Sequence, residues 1–212
     1  DCSSRGLGDV YKRQPYMKIA VTEDLDNNNI YITRTGYTGE DGFEISIDNN
    51  EAPSLWDKII ANEHAAPAGL GDRDLLRIEM GYPLYGQDMN EETTPIEVGL
   101  GWVVSKEHNH FIGASKILEQ KATGAKIKRA AIKLNDKIVA RTNAEIYKDG
   151  VKIGKITSGA FSPILEKPIA HALVEKSGNV VGDNVQIAVR GKYYNAEIVK
   201  FPFIDVKTIS NK

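Results

Sequence analysis

The chain has 212 residues, of which 41% are hydrophobic and 26% charged, an ordinary composition for a globular protein. Its net charge of −2 is spread along the sequence and predicts no basic surface for nucleic acid, and no apolar run approaches the roughly 20 residues that cross a bilayer. The single cysteine, Cys2, excludes an internal disulfide and a cysteine-based metal site.

The first fourteen residues are polar and follow neither helical nor strand periodicity. The run from Ser4 to Gln14 resembles translated adapter sequence, which occurs at the ends of unrelated environmental reading frames. We therefore predict that residues 1–14 form a non-native or disordered tail, and the prediction of the fold leaves them out.

Strand-like segments come next. Met17–Thr22 and Asn29–Thr35 are short β-rich runs separated by a turn-rich segment. The following segment, Gly36–Gly42, is too rich in glycine for a helix or a strand, which predicts a loop.

The segment from Gly42 to Asp48 alternates between apolar and polar residues. Phe43, Ile45 and Ile47 share one face, and Glu44 lies on the other. This pattern predicts a strand with one buried face.

Helical segments are predicted at 53–63, 71–80 and 111–121 from their apolar stripes and end signals. From about Lys126 the character changes to short strand-like runs with turn signals between them, among which Asp149-Gly150 is a strong hairpin signal. Six such strands in about eighty residues predict a small antiparallel barrel or sandwich. The strands are 128–134, 145–148, 151–157, 169–174, 185–190 and 193–200, and the domain boundary is predicted near Thr123-Gly124.

The glycine loop is the first candidate for chemistry. No Lys-Ser/Thr pair follows its last glycine, so it is not a P-loop, and it does not match the dinucleotide-binding pattern. On spacing alone, a loop that only connects two strands is the simpler interpretation.

The charged residues and histidines have simple interpretations as well. Glu44 would be a solvated strand carboxylate. Arg73 and Arg77, four residues apart, would form a charged helix face. His108 and His110 lie in a polar loop and would be surface residues, so we predict no metal site. From the residues alone, the prediction stops at an α+β chain with a β-rich C-terminal module.

Five sequence blocks nevertheless resemble the glycine cleavage T-protein family, and they occur in that family's order. Together they span most of residues 31–203. The blocks are ArgThrGlyTyrThrGlyGluAspGlyPheGluIle (34–45), AlaGlyLeuGlyAspArgAspLeuLeuArgIleGluMetGly (68–81), LeuTyrGlyGlnAspMet (84–89), ThrThrProIleGluValGlyLeuGlyTrp (93–102) and ThrSerGlyAlaPheSerPro (157–163).

The resemblance implies an α+β fold, in which residues 15–122 are the later part of a folate-binding core and residues 123–212 a small antiparallel β-barrel domain. It implies an aminomethyltransferase that takes an aminomethyl group from a lipoylated carrier protein, passes its carbon to tetrahydrofolate and releases ammonia. The implied location is the cytoplasm in a prokaryote and the mitochondrion in a eukaryote.

The resemblance also implies the site residues. Glu44 matches the carboxylate that accepts the two N–H donors of the pterin edge, and Arg73, Tyr37 and Tyr85 match other folate-site positions. Arg141 is a weaker match near the cofactor tail. The family's catalytic aspartate lies upstream of the matched region, so no residue of this chain is assigned that role, and the 212-residue chain alone is expected to be inactive.

Three alternatives stay open at this point. The chain could be the folate domain of an amine-oxidising flavoprotein, which shares these motifs but follows an FAD module. It could be a non-catalytic folate-binding relative of the iron–sulfur assembly type, although ThrGlyTyr at 35–37 replaces the cysteine-containing motif of those proteins. It could also be an inert fragment.

Overall fold

The computed structural model describes residues 14–23, 29–105, 107 and 110–207. These residues form two compact units, one containing the described residues up to Leu76 with Val206 and Lys207, the other running from Arg77 to Asp205. The predicted boundary near residue 123 stays a prediction. Residues 1–13 of the predicted tail and His108 lie outside the described residues. Gln14 is described and is buried, and the tail prediction stays a prediction.

The first unit is built on an antiparallel sheet in the order β1 (Ile19–Glu23), β2 (Asn29–Thr33) and β3 (Glu44–Ser46). Thr33 lies opposite Ile19 on one side and opposite Glu44 on the other. Helix α1 (Ala52–Ile60) follows, with its proline in the first turn as predicted, where the missing N–H leaves no helical bond unmade.

The prediction of a buried face on the third strand is wrong within the described chain. Strand β3 covers only three residues, and Phe43 and Ile45 are each 42% exposed. Three short strands form too small a surface to enclose a core of their own, since small units bury a smaller fraction of their surface.

Two further helices are close to the predicted bounds. Helix α2 (Leu70–Glu79) begins exposed and ends buried, so Arg73 is exposed whereas Arg77 is fully buried. The prediction that both arginines form one charged surface is therefore wrong at Arg77. Helix α3 (Ala114–Thr123) is flanked by Gly113 and Gly124, which both have a positive φ, and Gly113 lies in the left-handed helical region. None of the helices in the described chain is long and apolar enough to cross a membrane.

The second unit contains a closed antiparallel barrel of six strands, which confirms the predicted α+β class with a small barrel. The strands are β4 (Ile127–Leu134), β5 (Glu145–Lys148), β6 (Val151–Ser162), β7 (Lys167–Glu175), β8 (Asn184–Val189) and β9 (Lys192–Val199). Around the barrel the order is β4-β7-β6-β5-β8-β9. The Asp149-Gly150 turn joins β5 to β6, with positive φ at both residues, as a tight hairpin turn requires.

The barrel is filled by aliphatic side chains that point inward from alternate positions, among them Ile132, Ile156 and Ile198, each at most 1% exposed. Strand β6 extends five residues beyond its predicted end at Thr157. A register shift between Ile156 and Ser158 makes three consecutive residues buried, which breaks the alternation that predicts a strand.

Candidate functional site

The glycine loop of the first unit is closed by a buried arginine. Arg34 donates from Nε and Nη2 to the two carboxylate oxygens of Asp41, at 2.9 and 2.7 Å, and from Nη1 to the main-chain oxygen of Gln14 at 2.7 Å. The hydrogen bonds from Arg34 lower the pKa of Asp41 against the opposing effect of burial. This bidentate ion pair fixes the two ends of the loop and therefore the positions of the residues within it.

Glu44 follows that loop as the first residue of β3. Its carboxylate accepts a hydrogen bond from the hydroxyl of Thr35, and the Thr35 hydroxyl oxygen lies 2.9 Å from that of Thr33. Glu44 is exposed, as expected for the polar side of the strand. A carboxylate held on one side and open on the other can accept further N–H donors from a ligand.

Tyr37 and Arg73, predicted to share a site, are in contact. The guanidinium carbon of Arg73 on α2 lies 4.9 Å from the centre of the Tyr37 ring. Tyr37 is half-buried and Arg73 exposed. The cation lies over an aromatic face, so the guanidinium is oriented by the ring while its edge can still donate hydrogen bonds.

The other two predicted site residues belong to the second unit. Tyr85 is 61% exposed and lies in a short turn next to its bridge partner Met89. Arg141 is exposed and lines an open groove of about 440 Å³ on the barrel, together with Asn143 and Arg190. Two guanidinium groups at one groove favour an anionic ligand group.

The sequence analysis missed a buried polar cluster in the second unit. Arg77 donates from Nη1 to Asp88 at 2.5 Å and from Nη2 to the hydroxyl of Ser158 at 2.9 Å. Asp88 also accepts from the hydroxyl of Thr157, and Nδ1 of His171 lies 3.5 Å from its carboxylate. No sequence spacing predicts this cluster, since members in direct contact, such as Arg77 and Ser158, lie 81 residues apart.

Burial raises the pKa of Asp88, but the imidazole of His171 beside it and the hydrogen bonds from Thr157 and the main-chain N–H of Leu84 outweigh burial and lower the pKa well below the ordinary value. A perturbed carboxylate often marks a functional site. Here Asp88 accepts from Arg77, Thr157, Ser158 and the main-chain N–H of Leu84, so its hydrogen bonds join the end of α2 to the barrel wall.

Family models cover most of the chain. Residues 8–108 match the GCVT N-terminal domain, and residues 128–205 match the glycine cleavage T-protein C-terminal barrel domain. Among curated proteins, the aminomethyltransferase of Thermotoga neapolitana is 44% identical over 84% of this chain and 49% of its own length. That of Bacillus subtilis is 40% identical over 85% of this chain and 51% of its own length.

A solved structure agrees with these matches. The glycine cleavage system aminomethyltransferase T from Bartonella henselae superposes with a TM-score of 0.85 and 34% identity, over 93% of this chain and 55% of that protein. The chain thus spans about half the length of the curated relatives that it matches. Two family models in order, relatives above 40% identity and a common fold show that the chain belongs to the glycine cleavage T-protein, or aminomethyltransferase, family.

Proposed function

We propose that this chain supplies part of the tetrahydrofolate site of an aminomethyltransferase. In the proposed reaction, an aminomethyl group comes from the lipoyl arm of a carrier protein, its carbon passes to tetrahydrofolate, and ammonia is released. The observation that carries the proposal is the carboxylate of Glu44, which is held by Thr35 and is otherwise open to solvent.

The chemistry of the pterin ring supports this role for Glu44. Its 2-amino-4-oxopyrimidine edge presents two adjacent N–H donors, and an ionised carboxylate is the side chain that accepts two such bonds in parallel. Charged acceptors form stronger hydrogen bonds than neutral ones. Glu44 would therefore bind and orient the ring.

Arg73 and Tyr37 extend the proposed recognition. The guanidinium would donate to a carbonyl or carboxylate of the folate, and the Tyr37 ring would keep it in place. For the second unit we propose that Tyr85 offers an aromatic face and that Arg141 binds the carboxylates of the cofactor tail. The proposed catalytic aspartate belongs to the part of the relatives that this chain does not match, and the proposed location is cytoplasmic in a prokaryote or mitochondrial in a eukaryote.

Two ligands test whether the chain recognises the pterin. Tetrahydrofolate carries the ring and the tail, whereas p-aminobenzoylglutamate carries the tail alone. We expect the chain to bind tetrahydrofolate at least about tenfold more tightly, because the charge-assisted bonds to Glu44 contribute about 1.5–3 kcal/mol. Titrations followed by NMR detect even millimolar binding. Equal affinity for the two ligands would show that Glu44 does not recognise the pterin.

A further inference from the structure

The hydrogen bonds behind Glu44 have a fixed direction. An ionised carboxylate only accepts, so the hydroxyl of Thr35 must donate its single proton to Glu44. The 2.9 Å contact between the hydroxyls of Thr33 and Thr35 is then a hydrogen bond only if Thr33 donates. The other acceptor within reach of Thr33, the main-chain oxygen of Glu44, lies farther away, at 3.4 Å.

The hydrogen bonds from Thr33 to Thr35 and from Thr35 to Glu44 form a relay, and both ends of this relay are fixed to the sheet. Thr33 and Glu44 lie opposite each other on the paired strands β2 and β3, and Thr35 follows β2 by two residues. Each donation polarises the next hydroxyl and strengthens its bond to the carboxylate. An exposed glutamate without such a donor samples several side-chain conformations, and a ligand must select one of them.

We infer that Thr35, supported by Thr33, is a positioning residue that holds the Glu44 carboxylate in the orientation in which it receives the pterin. The inference rests on the proposed function of Glu44. The Thr35 bond occupies one lone pair of Oε2. The second lone pair of Oε2 and both lone pairs of Oε1 stay available for two parallel N–H donors.

The test removes the hydroxyl of Thr35 in the 212-residue chain and follows tetrahydrofolate binding by NMR. Immobilising one glutamate side chain corresponds to about a 2- to 10-fold change in affinity, so Thr35→Val should weaken binding by that factor. Thr35→Ser restores a hydroxyl and should stay within about twofold of the unsubstituted chain. Ser46→Ala is the matched control, since Ser46 lies two residues beyond Glu44 on the same face of β3.

A double substitution separates positioning from a merely structural role. If Thr35 acts through the carboxylate, Thr35→Val should cause no further loss of affinity in a chain that already carries Glu44→Ala. In the ligand-free chain, NMR couplings of the Glu44 side chain should report one conformation, and Thr35→Val should average them without changing the melting temperature.

The outcomes distinguish the two hypotheses. If Glu44→Ala weakens binding but Thr35→Val does not, or if the two losses add, the inference about Thr35 is wrong and the proposed role of Glu44 stands. If Glu44→Ala itself leaves the affinity unchanged, the proposed function is wrong and the inference falls with it. Loss with Thr35→Val, rescue with serine and no added loss in the double variant would establish Thr35 as the positioning residue of Glu44.

Discussion

Glu44 gives the most direct test of the proposed folate site. Glu44→Ala removes the carboxylate, and Glu44→Gln replaces one of its oxygens by an amide that presents donors toward the donors of the pterin. Hydrogen bonds to a charged group contribute about 1.5–3 kcal/mol, which corresponds to about 10- to 150-fold weaker binding of tetrahydrofolate. We expect Glu44→Ala to fall in this range and Glu44→Gln to weaken binding as well.

The structure predicts that both substitutions leave the fold intact. Glu44 is exposed, and its carboxylate accepts a hydrogen bond from the hydroxyl of Thr35 at the surface of the sheet. Calorimetric titration, or NMR where binding is weak, gives the affinities, and thermal melting of the ligand-free proteins checks their stability. Ser46→Ala serves as the control. Unchanged affinity in both Glu44 variants would refute the proposed role of Glu44 in binding the pterin and would identify it as an ordinary solvated carboxylate.

Four further predictions concern the buried cluster, two glycines and the activity. Asp88→Asn should lower the free energy of unfolding by about 3–5 kcal/mol, because it breaks a fully buried ion pair with Arg77. Asp183→Asn breaks a partly exposed pair and should lower the free energy of unfolding by at most about 1 kcal/mol, and urea unfolding measures both values. Since the pKa of Asp88 is lower in the folded state than in the unfolded state, its carboxylate should stabilise the fold at pH values above the unfolded-state pKa of about 3.9. This stabilisation should be lost as the pH falls from that value toward the folded-state pKa. Gly159→Ala should destabilise the chain by about 1–3 kcal/mol or more, because the added Cβ would lie 1.9 Å from the main-chain oxygen of Ala140. Gly71→Ala places its Cβ in open space on α2 and should slightly raise the melting temperature, since alanine favours a helix more than glycine does. Finally, the 212-residue chain should show no methylene transfer from an aminomethylated lipoyl carrier protein to tetrahydrofolate, and turnover comparable to that of a full-length relative would contradict this prediction.

The barrel could be predicted because its signals are local. Short alternating runs and turn residues such as Asp149-Gly150 act over two to eight residues, and they placed all six strands. The end of β6 was missed for an equally local reason. The register shift beside Thr157 exchanges the two faces of the strand, and a pattern based on strict alternation ends there.

Burial at the end of α2 could not be predicted from its own sequence. Arg73 and Arg77 have the same chemistry and the same helix face, yet only Arg77 is enclosed. Arg77 is enclosed by its hydrogen-bond partners Asp88 and Ser158. The spacing of residues within a helix carries no information about contacts so distant in sequence. The exposure of Phe43 is the converse case, since alternation predicts which side is apolar but not whether anything covers it.

Two carboxylates of the molecule, Asp88 and Glu44, show why a perturbed pKa is here a poor guide to ligand binding. Asp88 has the lowered pKa, but its oxygens lie within bonding distance of Arg77, Thr157, Ser158 and the main-chain N–H of Leu84, so its acceptor capacity is used by the protein. Glu44 receives one bond from Thr35 among the described residues and keeps three lone pairs. A ligand needs unused acceptors held in a fixed direction, and of these two carboxylates only Glu44 offers them. Unused capacity combined with fixed orientation is therefore the property on which the proposed recognition of the pterin by Glu44 rests.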